Sequence, residues 1–131
     1  MKKLFLAALA LVLMAPLGLA TVSAAESWQR YTAGGLDTAL ARKDTLVVNV
    51  HADWCPTCRA QAPILDELRQ DKRLKNVRFV RVDWDKDKDF VRRYRIPRQS
   101  TIVVFKNGKE SARSIAETDR KRLRSFVFGA V

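Results

Sequence analysis

Two cysteines three residues apart, Cys55 and Cys58, are the only cysteines in the 131-residue chain. A thiolate is a nucleophile, and two thiols within reach of each other form the minimum apparatus for thiol–disulfide exchange. One attacks a partner's disulfide, and the other resolves the mixed disulfide that results. A helical i, i+3 spacing sets their Cβ atoms about 5–6 Å apart, close enough for a disulfide after local relaxation. Pro56 directly follows the first cysteine, and proline suits the first position of a helix because it has no N–H to leave unpaired. Cys55 is therefore expected at the first exposed turn, where free backbone N–H groups and the positive end of the helix dipole favour a thiolate. Cys55 is read as the attacking sulfur and Cys58 as the resolving one.

The elements around the pair must hold it at that helix end. Leu46 to Val50 is an apolar run of strand length, followed by Ala52-Asp53-Trp54. Beyond the cysteines, Arg59 to Gln70 has helical spacing with Ala62, Leu65 and Leu68 on one side. The pair thus stands where a buried strand hands over to a helix. Two other readings of a CxxC pair exist. A structural disulfide closing so short a loop would stabilise the fold little. A metal site is the second: two thiolates suit soft Cu(I), so a Cu(I) binding or delivery module is the alternative function. A closed zinc site normally needs four ligands, and the chain offers two cysteines and one histidine, His51. A binding module without turnover is a third class, which the intact pair argues against.

Length admits a single domain. Residues 1–25 read as a secretory signal peptide: Lys2 and Lys3, an apolar stretch Leu4 to Ala15, the breakers Pro16 and Gly18, and small residues at Ala24 and Ala25 for cleavage. An uncleaved membrane anchor is the alternative, but the run is short and interrupted for a span. The expected domains are the leader, 1–25, and one α/β domain, 26–131, placed in the periplasm, where a disulfide or a working redox pair can persist. The formal net charge is +11 and falls to +9 without the leader's two lysines. The positive charge is spread along the chain and reads as a solvated basic surface. An exported chain with no aromatic–basic interleaving is not read as a nucleic-acid binder.

The remaining elements follow in order. Trp28 to Tyr31 reads as a short edge strand. Gly34-Gly35 is a break, and Leu36 to Arg42 a short helix with Asp37 in its first turn. Val77 to Trp84 is a strand with Val77, Phe79 and, after a slip at Val80, Val82 facing a core. Asp85 to Arg93 is a charged helix that docks through Phe90, Val91 and Tyr94. Ser100 to Lys106 and Lys109 to Ile115 are strands joined by Asn107-Gly108, a strong hairpin signal. Thr118-Asp119 opens a terminal helix through Phe128, with Leu123, Phe126 and Val127 inward. The expected fold is α/β, a central mixed sheet with helices on both faces.

From Leu46 to about Phe126 the chain resembles the thioredoxin superfamily. The residues that carry the likeness are Ala52-Asp53-Trp54-Cys55-Pro56-Thr57-Cys58, then Ala62-Pro63-Ile64-Leu65-Asp66-Glu67-Leu68, and Phe105-Lys106-Asn107-Gly108. The Pro56-Thr57 dipeptide is similar to that of periplasmic thioredoxin-like proteins of cytochrome c maturation. The resemblance implies the thioredoxin fold, disulfide exchange without a cofactor, partner docking at Trp54, and a substrate groove along Trp54, Gln99, Ser100 and Thr101. Pro63 matches a family proline inside the active-site helix. The partners it implies are protein thiols and disulfides, together with a membrane electron donor or acceptor, for a monomeric protein.

Three positions depart from the family's pattern. Ser100 stands where the family has a cis-proline, so Gln99-Ser100 is expected to be trans, with the serine hydroxyl near the thiolate. Asn49 stands where the family has a buried aspartate beneath the second cysteine, and it cannot take a proton. His51 replaces an aromatic near an acidic residue that maps onto Asp85; a packed, satisfied core histidine is the favoured reading, and a His51–Asp85 pair acting as acid or base beside the cysteines is the alternative. The direction expected for the exchange is reduction, although a proline after the first cysteine is also found in oxidising members.

Overall fold

The computed structural model describes residues 28–131, so the leader expected over residues 1–25 lies outside the described residues. The chain forms β1 (Gln29–Arg30), α1 (Ala33–Ala41), β2 (Leu46–His51), α2 (Pro56–Gln70), β3 (Arg78–Asp83), α3 (Lys88–Arg93), β4 (Thr101–Lys106), β5 (Lys109–Ile115) and α4 (Arg120–Ala130), with a 3-10 turn at Lys72–Leu74. Five strands make one sheet in the order β1-β3-β2-β4-β5. The first three run parallel, β4 runs antiparallel to β2, and β5 antiparallel to β4. The expected mixed sheet covered on both faces is the observed one.

β2 is central, and five of its six residues are buried. Strand alternation sends Val48 and Val50 to one face, with Val80, Val82, Val103 and Phe105, where Leu36 of α1 and Phe90 of α3 close the core. Val47 goes to the other face with Phe79, Ile102 and Val104, against Ile64, Leu65 and Leu68 of α2 and Leu123 and Val127 of α4. Burial on both faces also explains β3. No slip occurs at Val80: Phe79 faces α2, while Val80 and Val82 face α1 and α3. The strand reads as a near-continuous apolar run because it is an inner parallel strand.

Two other boundaries differ from expectation. Gly34-Gly35 does not break the chain; α1 begins at Ala33 and runs through both. Thr32 caps it, its Oγ1 accepting the Gly35 N–H at 3.1 Å. A Cβ on Gly35 would lie 2.6 Å from that oxygen, so glycine is what lets the cap close. Asp37 then falls beyond the first turn and pairs with Arg93 at 2.8 Å. The helix expected from Asp85 starts only at Lys88. The residues before it form a turn in which Asp83 Oδ1 accepts the N–H groups of Asp85 and Lys86 at 2.9 and 3.1 Å. The hairpin at Asn107-Gly108 forms as expected, with φ values of 55° and 83°.

Candidate redox site

Cys55 is the N-cap of α2 and Pro56 its first residue. The Cys55 sulfur accepts the backbone N–H of Cys58 at 3.1 Å, and the Cys55 N–H donates to the Ala52 carbonyl at 3.1 Å. The helix end therefore holds the first sulfur as a capping acceptor, which favours its charged form. Both cysteines are free thiols. One expectation is corrected: Cys55 is not exposed but only 1% accessible, because Ala52, Cys55 and Cys58 form their own small apolar cluster against Trp84.

The environments of the two thiols are unequal. Burial pushes the Cys55 thiol up, but hydrogen bonds from the Cys58 thiol and N–H, the Gln99 side chain and the Thr57 N–H hold it below its ordinary value. Burial pushes Cys58 up to about 11, and donating its proton toward Cys55 adds to that. At neutral pH the first thiol is poised to attack, and the second keeps its proton.

Ser100 faces this pair from the start of β4. No peptide bond among the described residues is cis, so Gln99-Ser100 is trans as expected, and Ser100 takes a left-handed φ of 64°. Its N–H donates to the Val50 carbonyl at 2.7 Å, and its carbonyl accepts the Ala116 N–H at 3.1 Å. Its hydroxyl does not reach the thiolate: it donates to the Gln99 carbonyl. A left-handed serine turns its short side chain back onto its own backbone, so the hydrogen bond to Cys55 comes from Gln99 instead. Ser100 and Thr101 are fully buried, and Thr101 Oγ1 donates to the Arg98 carbonyl at 2.7 Å. Of the expected groove residues, only Trp54, 56% exposed, and the half-buried Gln99 offer side chains to a partner.

The alternative His51–Asp85 pair does not form. His51 Nε2 lies 3.1 Å from Asp53 Oδ1, and Asp85 Oδ2 instead accepts the Trp54 indole N–H at 2.8 Å. The exposed indole folds over the turn that carries Asp85, and His51, at the end of β2, meets the carboxylate two residues on. His51 then lines a cleft of about 440 Å³ with Trp28, Trp54, Arg81, Asp83 and Asp85. Among the described residues no three His, Cys, Asp or Glu side chains converge as a metal site would require, so Cu(I) would rest on the two sulfurs alone. Asn49 is buried, as expected for the position beneath α2, and its Nδ2 has no hydrogen-bond partner.

Two site residues escaped the sequence reading. Gln61 is wholly buried on α2, and its Nε2 donates to the Ser100 carbonyl at 3.1 Å and the Glu117 carbonyl at 2.9 Å. It ties the cysteine helix to the loop before β4. Its signal was a polar residue three positions after Cys58, on the stripe that continues through Ile64, Leu65 and Leu68. The other is Arg81, a charge in the middle of an inner strand.

A strand, a capping cysteine at a helix start, a second cysteine one turn on and a buried loop facing both define a dithiol exchange site on an α/β sheet. The thioredoxin family model matches residues 28–128. A thioredoxin of Mycoplasmoides gallisepticum is 32% identical over 92 residues, 70% of this chain and 90% of that one. Thioredoxin H-type 1 of Nicotiana tabacum is 34% identical over 102 residues, 78% of this chain and 76% of that one. Among solved structures, Trxlp from Edwardsiella tarda superposes with a TM-score of 0.73 at 33% identity, covering 76% of this chain and 97% of that chain. The chain belongs to the thioredoxin family, and it is a thiol–disulfide oxidoreductase.

Proposed function

We propose that this protein is an exported oxidoreductase that reduces disulfides of protein partners in the cell envelope, with Cys55 attacking and Cys58 resolving. The observation that carries the reading is the asymmetry of the pair. Cys55 caps α2 and has its thiol below the ordinary value, while Cys58 lies one turn on with its thiol raised. The Cys55 thiolate attacks a partner disulfide, forming the mixed disulfide and releasing one partner sulfur. Cys58 then loses its proton and attacks Cys55, forming the Cys55–Cys58 disulfide and releasing the second partner sulfur. Two electrons pass from the dithiol to the partner. The leader-like residues 1–25 support export, and a protein oxidised in that compartment needs an electron donor at the membrane. No helix among the described residues is long and apolar enough to cross a membrane.

The test is the reduction potential of the pair, measured in graded thiol–disulfide buffers by tryptophan fluorescence and checked by alkylation and mass. A value near about −270 mV supports a reductant, and one near about −120 mV marks an oxidant and overturns the direction proposed. A Cys55→Ser protein that keeps full exchange activity overturns the assignment of the attacking sulfur.

A further inference from the structure

A groove of about 690 Å³ opens along the outer side of α4, beside the 3-10 turn that follows α2. Among the described residues its lining carries four cations, Arg73, Arg120, Lys121 and Arg124, and one carboxylate, Asp119. Lys72 and Lys75 stand exposed at the same turn. Phe128 supplies apolar ground between the charges. Its half-buried ring lies 4.3 Å from the Arg73 guanidinium carbon and 5.7 Å from that of Arg124.

The two helices keep step along this face. Arg120 pairs with Glu67, and Arg124, one turn on, lies 4.0 Å from Glu67 and 3.8 Å from Asp71. Arg73 closes on Asp71 at 2.7 Å. The arginine forks are thus spent on carboxylates of their own face, whereas Lys72, Lys75 and Lys121 form no ion pair among the described residues. Six cations meet three carboxylates, Glu67, Asp71 and Asp119, and three positive charges are left over. A discrete peptide carboxylate is best held by a free bidentate fork. Spread lysine charge suits a spread anionic surface instead, and cations beside an aromatic ring are what a face lying on an anionic bilayer carries. The location fits as well. Cys55 caps the start of the 15-residue α2 and the lysine-bearing turn follows its end, about 22 Å away. A bilayer against that turn leaves Cys55 and the exposed Trp54 open to a partner.

We propose that the face formed by α4 and the turn after α2 docks on membranes, binding anionic phospholipid headgroups through Lys72, Lys75 and Lys121 with Phe128 against the acyl boundary. The inference goes beyond the exchange reading, and no step of the exchange depends on it. Docking of this kind holds the dithiol near the bilayer surface with its reactive end turned away from the lipid. Its attraction is electrostatic and fades as salt shortens the screening length from about 10 Å at 0.1 M to about 3 Å at 1 M.

The experiment mixes the full-length protein with vesicles of phosphatidylglycerol and phosphatidylcholine, or of phosphatidylcholine alone, and reads amide hydrogen exchange by fragment mass. Exchange is read segment by segment, so vesicle binding by the apolar stretch Leu4 to Ala15 does not decide the result. At residues 72–75 and 120–128, exchange is expected to slow about tenfold on the anionic vesicles, to stay unchanged on the neutral ones, and to recover near about 1 M salt. The triple variant Lys72→Gln/Lys75→Gln/Lys121→Gln removes three charges, breaks no ion pair and should lose the slowing. Lys43→Gln/Arg92→Gln/Arg95→Gln removes as many exposed charges beside α1 and α3, across the sheet, and should keep it. Circular dichroism confirms that each variant is folded, and the comparison of the two vesicles on wild type decides the matter even for a variant that is not. No slowing on the anionic vesicles, equal slowing on both kinds, or equal loss in the two folded triple variants overturns the inference. Slowing of the same segments by polyglutamate and not by vesicles assigns the face to an acidic polypeptide and overturns it too. Reaction of the same proteins with 5,5′-dithiobis(2-nitrobenzoate) tests the exchange reading separately: a wild type that releases no coloured thiolate overturns that reading and not this one.

Discussion

Replacing Ser100 with proline, the residue the family carries there, should destabilise this protein. Ser100 is fully buried at φ 64°, and its N–H donates to the Val50 carbonyl at 2.7 Å. Proline has no N–H, so the buried carbonyl loses its partner, at about 1–3 kcal/mol. Proline also fixes φ near about −65° in either isomer, so the backbone must rotate by roughly 130°. That swings the Ser100 carbonyl away from the Ala116 N–H and the Gln61 amide, two bonds worth about 1 kcal/mol each. The total is about 3–5 kcal/mol. Glycine accepts the left-handed conformation, gaining about 1 kcal/mol and losing a similar amount to the freer unfolded chain. Ser100→Gly should therefore stay within about 1 kcal/mol of wild type. Urea denaturation of the reduced protein separates the two: at a slope of about 2 kcal/mol/M, the proline variant should unfold at a midpoint lower by roughly 1.5–2.5 M. A proline variant as stable as wild type would refute the reasoning, because the surrounding hydrogen bonds would then not be what sets the loop.

Two more outcomes follow from the site. Only thiolates alkylate, so labelling rises with pH through each thiol's own pKa. Iodoacetamide should modify Cys55 with a midpoint below the ordinary thiol value and leave Cys58 until the pH nears about 11. Fragment masses that show both cysteines labelled together with one midpoint would contradict the asymmetry. Gln61→Leu removes both hydrogen bonds that tie α2 to the Ser100 and Glu117 carbonyls. It should cost about 1–2 kcal/mol and speed hydrogen exchange at the Ala116 amide, and unchanged stability together with unchanged exchange would remove Gln61 as the tie.

Much of the architecture was legible before any coordinates. An apolar run of strand length, Pro56 after Cys55, and Asn107-Gly108 between two strands each carry a rule that acts within a few residues: burial of an inner strand, helix initiation, a two-residue turn. Those rules place both cysteines at the start of α2, where the structure has them. The errors fell where local rules compete. Gly34-Gly35 read as a break until Thr32 supplied a cap, and β3 read as one-faced until its neighbours covered both sides.

Partner choice was not legible. The chain by itself determined that a cysteine pair would sit at a helix end, that Asn49 beneath it could not take a proton, and that serine and not proline would stand directly before β4. Only the tertiary structure decided that His51 meets Asp53 while Asp85 serves Trp54, that Gln99 and not the Ser100 hydroxyl reaches Cys55, and that Arg81, in register with Asn49, lies over the Trp28 ring. The physical reason is range. Caps, turns and periodicity act between residues close in sequence. A hydrogen bond between Gln61 and Ser100, 39 positions apart, exists only once α2 and β4 have packed on the same strand, and a shift of an ångström would give it to another partner.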